Sequence, residues 1–279
     1  MYGGYNISTH FILNTIIYEK ENDILSDLFS LKGKTALVTG ASSGLGVQFA
    51  TAIARQGADV AIVARRLEKL NGVKEELEKF GVRVLSVQCD VSDVEQIKTA
   101  VAKVKNYFGR IDILVNNAGI GLVEPAESQS DETWETMIKV NLNAVYYTAR
   151  EVGKIMVSQN YGKIINIGSI HSTVAMTGLP ISAYATTKGG VMMMSKALAN
   201  EWAKYNITVN TIGPAYFESE MTQAVVSDQS FAQVVKTYCP MGRIGKRGEL
   251  DGAVIYFASD ASSYTTGQYI AVDGGWTAI

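Results

Sequence analysis

Cysteine, histidine and proline are scarce in this 279-residue chain, which has two, two and four of them. Cys89 and Cys239 lie far apart and show no Cys-x-x-Cys or Cys/His spacing, which argues against a disulfide framework, a redox pair or a metal site. So few cysteines are typical of a reducing compartment, and we expect a cytoplasmic protein. No Ser-rich or charged block marks a linker near mid-chain. We therefore predict one domain, residues 31–279, after an N-terminal extension, residues 1–30.

The chain also lacks an excess of charge of either sign and any long apolar run. The 25 Lys and Arg residues nearly balance the 27 Asp and Glu residues, so the sequence indicates no basic face for nucleic acid. The run "FILNTII" in the N-terminal extension has seven residues, contains Asn14, and follows no Lys or Arg. It is too short to cross a membrane and lacks the basic start of a secretory signal. We expect neither a nucleic-acid partner nor a membrane span.

Seven short apolar runs alternate with amphipathic stretches from residue 34 onward. The runs are apolar throughout, which is typical of strands covered on both faces. Helical patterns lie between them, for example Leu45, Phe49 and Ile53 at a spacing of four. This alternation predicts right-handed crossovers and a parallel sheet, and so a single-domain, doubly wound α/β fold of the Rossmann type. The predicted strands are 35–40, 58–66, 82–90, 111–119, 163–169, 207–214 and 269–275.

The stretch "TGASSGLG", residues 39–46, joins the first predicted strand to the first predicted helix. Its glycines, Gly40, Gly44 and Gly46, lack the Cβ that would keep the backbone away from a pyrophosphate. A helix N-terminus at this place also directs backbone N–H groups toward a bound anion. The spacing Gly-x-x-x-Gly-x-Gly differs from the common Gly-x-Gly-x-x-Gly fingerprint. Its position in the first strand–helix unit favours a dinucleotide-binding loop over a purely steric turn.

The end of the second strand predicts which dinucleotide binds. Enzymes that prefer NAD place an acid there for the ribose 2′-hydroxyl, whereas a cation there suits the 2′-phosphate of NADP. This chain has Ala64, Arg65 and Arg66 and no acid. Because a guanidinium forms charge-assisted pairs with phosphate, we predict NADP(H), with Arg65 as the main contact. NAD(H) stays the alternative, in which the two arginines only cap the strand in solvent.

Tyr184 and Lys188 form a pair at the start of the helical stretch "YATTKGGVMMMSKALANEWAKY". Residues four apart share one helix face, so the phenol and the ammonium point the same way. A free tyrosine has a pKa of about 10, too high for proton exchange near neutrality. A neighbouring cation favours the phenolate, and we expect it to lower the pKa of Tyr184 toward the working pH. The pair therefore indicates general acid–base chemistry.

Four motifs occur in an order seen in one enzyme family: "TGASSGLG", "NNAG" at 116–119, "YATTK" at 184–188 and "DGG" at 273–275. With them, residues 31–276 resemble a short-chain dehydrogenase/reductase. The resemblance implies an enzyme that transfers hydride between a nicotinamide cofactor and a ketone or secondary alcohol. It also implies a homotetramer built partly from the helix of Tyr184. A nucleotide-binding regulator without chemistry is the alternative from another functional class.

The resemblance assigns roles to four residues. Tyr184 would exchange the proton with the substrate oxygen, and Lys188 would lower the pKa of Tyr184 and hold the nicotinamide ribose. Asn141 would hold a water of a proton relay. A serine would bind the reacting oxygen, and we assign Ser169, at the end of the fifth strand.

The spacing before Tyr184 leaves the choice of serine partly open. In many family members this serine stands thirteen residues before the tyrosine, where this chain has His171. Ser169 is fifteen residues before Tyr184, which requires a loop two residues longer. Ser172 is the alternative.

The resemblance also implies the residues that contact the cofactor. Asp90 and Val91 would enclose the adenine, and Ile212 and Ser219 would flank the nicotinamide amide. Pro214 belongs to a pair that usually reads Pro-Gly and here reads Pro-Ala. The complete predicted set is Gly40, Ser42, Ser43, Gly44, Leu45, Gly46, Arg65, Arg66, Asp90, Val91, Asn117, Ala118, Gly119, Tyr184, Lys188, Ile212, Pro214 and Ser219.

The loops that follow the carboxyl ends of the strands support two alternative predictions of the substrate. The loop 170–182 has no charged residue, and the loop 215–245 is rich in apolar side chains, which together favour a bulky apolar ketone such as a steroid. Several segments instead resemble gluconate 5-dehydrogenases and polyol dehydrogenases, and His171 suits a hydroxyl-rich substrate. We expect substrate contacts from His171, Met176, Tyr216 and Phe217. The apolar set of the second loop is Tyr216, Phe217, Met221, Val225, Val226, Phe231, Tyr238 and Met241.

Overall fold

The computed structural model describes residues 28–220, 222 and 229–278. Most of the predicted N-terminal extension, and Met221, Val225 and Val226, lie outside the described residues. The strands are β1 Thr35–Thr39, β2 Asp59–Ala64, β3 Val84–Gln88, β4 Ile113–Asn116, β5 Gly162–Ile167, β6 Ile207–Pro214 and β7 Tyr269–Val272. The helices are α1 Gly44–Arg55, α2 Leu67–Glu78, α3 Val94–Phe108, α4 Asp131–Ile138, α5 Ala144–Gln159, α6 Ser182–Trp202, α7 Gln229–Tyr238 and α8 Asp251–Ala258.

All seven predicted strands are present and form one parallel sheet in the order β3-β2-β1-β4-β5-β6-β7. Strand β1 pairs with β2 on one side and β4 on the other, so Leu37 lies opposite both Ala61 and Leu114. The direction of winding therefore reverses between β1 and β4. In a doubly wound sheet this reversal opens a crevice at the carboxyl ends of the strands, where ligands bind.

Alternate residues of each strand point to opposite faces of the sheet, and helices cover both faces. Ala36 and Val38 pack with Phe49 of α1 and Phe257 of α8 on one face. Leu37, between them, packs on the other face in a core with side chains of α3, α5 and α6. Burial on both faces explains why the strands read as continuous apolar runs.

Helix α3 shows how local sequence sets the bounds of an element. Asp93 precedes the helix, and its carboxylate accepts hydrogen bonds from the backbone N–H groups of Glu95 at 2.9 Å and Gln96 at 3.3 Å. Gly109 ends the helix with a φ of 81°, a conformation that glycine adopts without steric cost. In residues 28–220 and 229–278, no helix is both long enough and apolar enough to span a bilayer.

A buried polar network ties three strands to helix α6. Asn116 Nδ2 on β4 donates to Asn166 Oδ1 on β5 at 2.9 Å, and Asn166 Nδ2 donates to Ser195 Oγ on α6 at 2.9 Å. Thr211 Oγ1 on β6 donates to the same Ser195 Oγ at 2.9 Å. Asn166 is fully buried, so its amide is the centre of a network that fixes α6 on the sheet.

We expect Asn166→Ala to lower the free energy of unfolding by about 3 kcal/mol, because it opens a cavity and leaves buried polar partners unpaired. Denaturant unfolding followed by circular dichroism measures the change. Asn106→Ala, which truncates an exposed asparagine of α3, is the control and should cost less than about 0.5 kcal/mol. A cost below 1 kcal/mol for Asn166→Ala would contradict a central role of this network.

Candidate active site

A cavity of about 650 Å³ opens at the carboxyl ends of β1 and β4, where the sheet reverses. Its wall combines the glycine loop, the ends of β2 and β4, the start of α6 and the segment after β6. All the predicted cofactor residues line this cavity except Gly46 and Ile212. Ser169 and Phe217 line it as well. The topology therefore gathers chain segments that are far apart in sequence.

The glycine loop is held by close backbone contacts. A Cβ on Gly46 would lie 2.3 Å from the carbonyl oxygen of Gly40, so no larger residue fits there. Asn117 Nδ2 donates to the carbonyl oxygen of Thr39 at 3.0 Å and that of Gly40 at 3.3 Å. Gly46 and the Asn117 side chain therefore shape the loop.

Helix α1 begins in the cavity without a side-chain cap. Ser43, the residue before the helix, has an extended backbone, but its side chain bonds no backbone N–H of the first turn, and that turn holds no acidic residue. The first N–H groups of a helix have no partner within the helix and attract anions. This N-terminus, beside glycines at 40 and 44, fits the pyrophosphate of a dinucleotide.

The two arginines at the end of β2 differ in their contacts. Arg66 Nη2 donates to Ser42 Oγ at 3.1 Å, Ser43 Oγ at 2.9 Å and Glu220 Oε2 at 2.8 Å. Arg65 also lines the cavity, and its guanidinium has no hydrogen bond or ion pair within the described part of the chain. Arg65 is therefore available to a ligand.

Tyr184 and Lys188 lie one turn apart near the start of α6, and both line the cavity. Lys188 Nζ lies 5.7 Å from the centre of the Tyr184 ring and donates to the carbonyl oxygen of Ile167 at 2.8 Å. The shared helix face predicted from their spacing is thus present. Burial lowers the pKa of Lys188 to about 8, because the surrounding protein disfavours the ammonium.

The pKa of Tyr184 moves in the direction opposite to the sequence prediction. Its side chain opens partly onto the cavity, but desolvation by the surrounding protein raises its pKa, and a hydrogen bond with Ser169 acts weakly against this. The prediction considered only the charge of Lys188 and could not include burial. A raised pKa keeps the phenol protonated near neutrality.

The geometry distinguishes Ser169 from Ser172. Ser169 lines the cavity and acts to lower the pKa of Tyr184, whereas Ser172 Oγ accepts a hydrogen bond from the backbone N–H of Ser169 at 3.2 Å. Ser169 Oγ in turn accepts from the backbone N–H of His171 at 3.1 Å. This short turn, Ile170–Ser172, holds Ser169 at its start.

Asn141 lies in a π-helical turn, Lys139–Asn143, between α4 and α5. Its Oδ1 accepts from the backbone N–H of Ile120 at 2.8 Å, and its Nδ2 donates to the Ile120 carbonyl oxygen at 2.8 Å. Such turns are common at functional sites because they redirect one side chain. Here the amide holds the segment after β4 along the cavity wall.

Three of the four predicted substrate residues form a cluster behind Tyr184. His171 Nε2 lies 3.3 Å from Tyr216 Oη, and Tyr216 Oη lies 3.7 Å from Met176 Sδ. The His171 ring meets the Tyr184 ring edge-on, with centres 6.2 Å apart. Burial lowers the pKa of His171, which favours the neutral imidazole. Of the four residues, Phe217 lines the cavity itself.

Other residues at the site carried no sequence motif. Glu220 and Lys69 pair across the mouth of the cavity, Ile120 is held by Asn141, and Thr187 Oγ1 lies 3.4 Å from Asn141 Nδ2. An acid one residue after Ser219 was visible in the sequence, but no pattern tied it to cations more than 150 positions earlier.

A cavity of this size at the reversal point of a parallel sheet, with an uncapped helix N-terminus and a Tyr–Lys pair in its wall, defines a nicotinamide-dinucleotide-dependent oxidoreductase. A family model described as enoyl-(acyl carrier protein) reductase matches residues 40–277. The chain belongs to the short-chain dehydrogenase/reductase family.

Several characterised relatives and solved structures are similar to this chain over about nine tenths of its length. Gluconate 5-dehydrogenase of Gluconobacter oxydans is 39% identical over 90% of this chain and 97% of its own. The 2-dehydro-3-deoxy-D-gluconate 5-dehydrogenase of Pseudoalteromonas atlantica is 40% identical over 89% of this chain and 97% of its own. The structure of gluconate 5-dehydrogenase from Burkholderia cenocepacia in complex with NADP and tartrate superimposes with a TM-score of 0.88, at 37% identity, over 91% of this chain and 99% of that one.

Proposed function

We propose that this enzyme interconverts a ketone and a secondary alcohol on a small sugar acid, in the manner of gluconate 5-dehydrogenases, with NADP(H) as cofactor. The observation that carries the proposal is the meeting of Ser169, Tyr184 and Lys188 at one wall of the cavity. The curated relatives described above are named as 5-dehydrogenases of gluconate and of 2-dehydro-3-deoxy-D-gluconate, which supports a sugar acid over the steroid as substrate.

The packing of the loop 215–245 removes the main argument for a steroid substrate. The apolar side chains of the loop 215–245 were expected to line a pocket, but several pack against one another. Tyr216 lies with its ring centre 4.7 Å from that of Phe231 and 5.2 Å from that of Trp276. Phe231 and Trp276 are buried in a small core of their own. Side chains used in this way offer little surface to a steroid.

The proposed chemistry divides between cofactor and protein. A bound nicotinamide would supply or accept the hydride. In reduction, the protonated Tyr184 hydroxyl donates its proton to the substrate oxygen as that oxygen gains charge. The Ser169 hydroxyl donates a hydrogen bond to the same oxygen, and the Lys188 ammonium favours the phenolate that remains on Tyr184. Asn141 is proposed to hold a water of the proton relay, next to the Ile120 backbone.

Two observations support NADP(H). Arg65 lines the cavity with a guanidinium that has no partner among the described residues, and no acid stands at the end of β2. The Burkholderia relative binds NADP. We expect Arg65→Ala to weaken NADPH binding about tenfold and NADH binding less than twofold, since one charge-assisted phosphate contact is lost. Titration of both cofactors by fluorescence measures this, and equal effects on both would contradict a phosphate contact.

A neutral polyol or hydroxyketone is the second candidate. Among the described residues that line the cavity, the cations are Arg65, Arg66 and Lys188, and the first two lie at the cofactor end. A sugar acid bound there would have its carboxylate near few positive groups. A panel of 5-ketogluconate, a neutral ketohexose and a steroid ketone, assayed with NADPH and NADH, separates the readings. We expect the highest kcat/KM with 5-ketogluconate and NADPH, and turnover of the steroid alone would overturn the proposal.

Assembly as a homotetramer through α6, and a cytoplasmic location, stay predictions. Met193 on α6 is 60% exposed, and Tyr146 on the neighbouring α5 is 41% exposed, so this face carries apolar surface for a second copy. Light scattering coupled to gel filtration measures the assembly state.

A further inference from the structure

Glu220 forms the most connected ion-pair cluster at the mouth of the cavity. Its carboxylate accepts from Arg66 Nη2 at 2.8 Å, Lys69 Nζ at 2.7 Å and Ser43 Oγ at 2.9 Å. The donors come from the end of β2, the first turn of α2 and the glycine loop, whereas Glu220 belongs to the segment after β6. The cluster therefore connects the segment that follows β6, which we call the substrate loop, to the cofactor-binding half of the protein.

The position of Glu220 is set by its neighbours in the loop. Ser219 packs on the glycine loop, where a Cβ on Gly44 would lie 3.2 Å from the Ser219 Cβ. The backbone N–H of Thr222 donates to Ser219 Oγ at 3.2 Å, which makes a tight turn around Glu220. The turn presents the carboxylate of Glu220 to Ser43 and Arg66, next to the uncapped start of α1.

The cluster keeps an anion at this place but does not bury it. Arg66, followed by Lys69 and Ser43, lowers the pKa of Glu220 to about 2, so the side chain is ionised at any working pH. The Glu220 side chain is 51% exposed, and those of Arg66 and Lys69 are nearly as exposed. Exposed ion pairs are weak and exchange readily with other anions.

Two cations and a hydroxyl around one anion form the donor set that a phosphomonoester also takes. Resting on the proposed use of NADP(H), we propose that Glu220 competes with the cofactor 2′-phosphate for Arg66, Lys69 and Ser43. A phosphate that takes these donors displaces and repels the carboxylate, and so releases the substrate loop from the glycine loop. NAD(H) carries no such phosphate and leaves the contact in place. Glu220 is thereby a determinant of cofactor specificity that also couples cofactor binding to the loop.

Glu220→Gln tests the competition. We expect the variant to bind NADPH and adenosine 2′,5′-bisphosphate about fivefold more tightly than the wild-type enzyme, with NADH affinity changed less than twofold, because the neutral amide no longer competes or repels. Isothermal titration calorimetry measures all three ligands. Glu218→Gln is the matched control, since Glu218 is exposed two residues earlier in the same segment and makes no ion pair among the described residues. It should leave all three affinities unchanged.

The rate of limited trypsin digestion measures whether the substrate loop is released from the glycine loop. Downstream of Glu220, Lys236 lies in helix α7 and Arg243 follows that helix, and we expect cleavage at these two residues to be faster in Glu220→Gln than in the wild-type enzyme. Adenosine 2′,5′-bisphosphate should accelerate cleavage of the wild-type enzyme, and the matching NADH titration should not. If Glu220→Gln binds NADPH equally well or more weakly, the competition does not exist and the inference is overturned. If the wild-type enzyme itself prefers NADH and ignores the bisphosphate, the proposed use of NADP(H) fails first.

Discussion

Tyr184→Phe is expected to lower kcat by roughly 10³- to 10⁴-fold while the affinity for NADPH changes less than twofold. The substitution removes one oxygen and leaves the ring, so the contact with His171 and the packing of α6 should persist. The proton that the substrate oxygen needs would then come only from water. Steady-state kinetics with the best ketone of the panel, together with fluorescence titration of NADPH, measures both quantities.

Tyr107→Phe is the control for this experiment, because Tyr107 is an exposed tyrosine of α3. It should leave kcat within twofold of wild type. Equal turnover of Tyr184→Phe and wild type would refute the proposed role of Tyr184. No turnover by either protein with any substrate of the panel would instead favour the alternative of a nucleotide-binding regulator, which needs the glycine loop but no proton donor.

Lys188→Met is expected to reduce kcat/KM by at least about 10²-fold and to make the protein more stable at pH 7. Loss of activity follows because no cation remains to favour the Tyr184 phenolate. The gain in stability follows from the lowered pKa, about 8 in the folded protein against an ordinary value of 10.5. A difference of this size means that keeping the ammonium buried costs roughly 3 kcal/mol. Part of the gain is offset by about 1 kcal/mol, since the Ile167 carbonyl loses its donor.

The pH dependence has a definite sign. Between pH 8 and 10.5 the unfolded chain binds the Lys188 proton and the folded chain does not, so the stability of the wild-type enzyme rises with pH there. Below pH 8 both states hold the proton and the full cost is present. The advantage of Lys188→Met in denaturant unfolding should therefore be largest at pH 7 and shrink toward pH 10.

Lys196→Met, an exposed position of the same helix, should change neither activity nor stability appreciably. An advantage of Lys188→Met that stays constant from pH 7 to pH 10 would show that the buried charge is not its cause.

The order of the elements and the place of the cavity could be predicted because they depend on periodicity and topology. Continuous apolar runs such as "TALVT" of β1 are diagnostic of strands covered on both faces, and the alternation with helices leaves one plausible winding. Glycines in the first strand–helix turn and the Tyr184–Lys188 spacing locate the chemistry on that winding. These signals are local, and each can be read within a few residues.

The same sequence signals were less informative about the substrate. The apolar residues of the loop 215–245 predicted a steroid pocket, but composition does not tell whether such side chains face a ligand or each other. The edge-on contact of Tyr216 with Phe231 and its tilted contact with Trp276 show that these side chains pack together in a small core. His171, Met176 and Tyr216 contact one another, which no sequence pattern indicated, and their contact with substrate stays a prediction.

The sequence by itself determined the fold class and located the glycine loop and the Tyr184–Lys188 pair, because periodicity, glycine placement and a four-residue spacing act over short distances. Only the tertiary structure decided the burial that shifts the pKa values of Tyr184 and Lys188, the place of Ser169 on the cavity wall, and the pairing of Glu220 with Arg66 and Lys69. Each of these depends on how deeply a group is buried or on a contact between distant segments. Desolvation and long-range contacts are properties of the packed molecule, so local sequence patterns do not predict them.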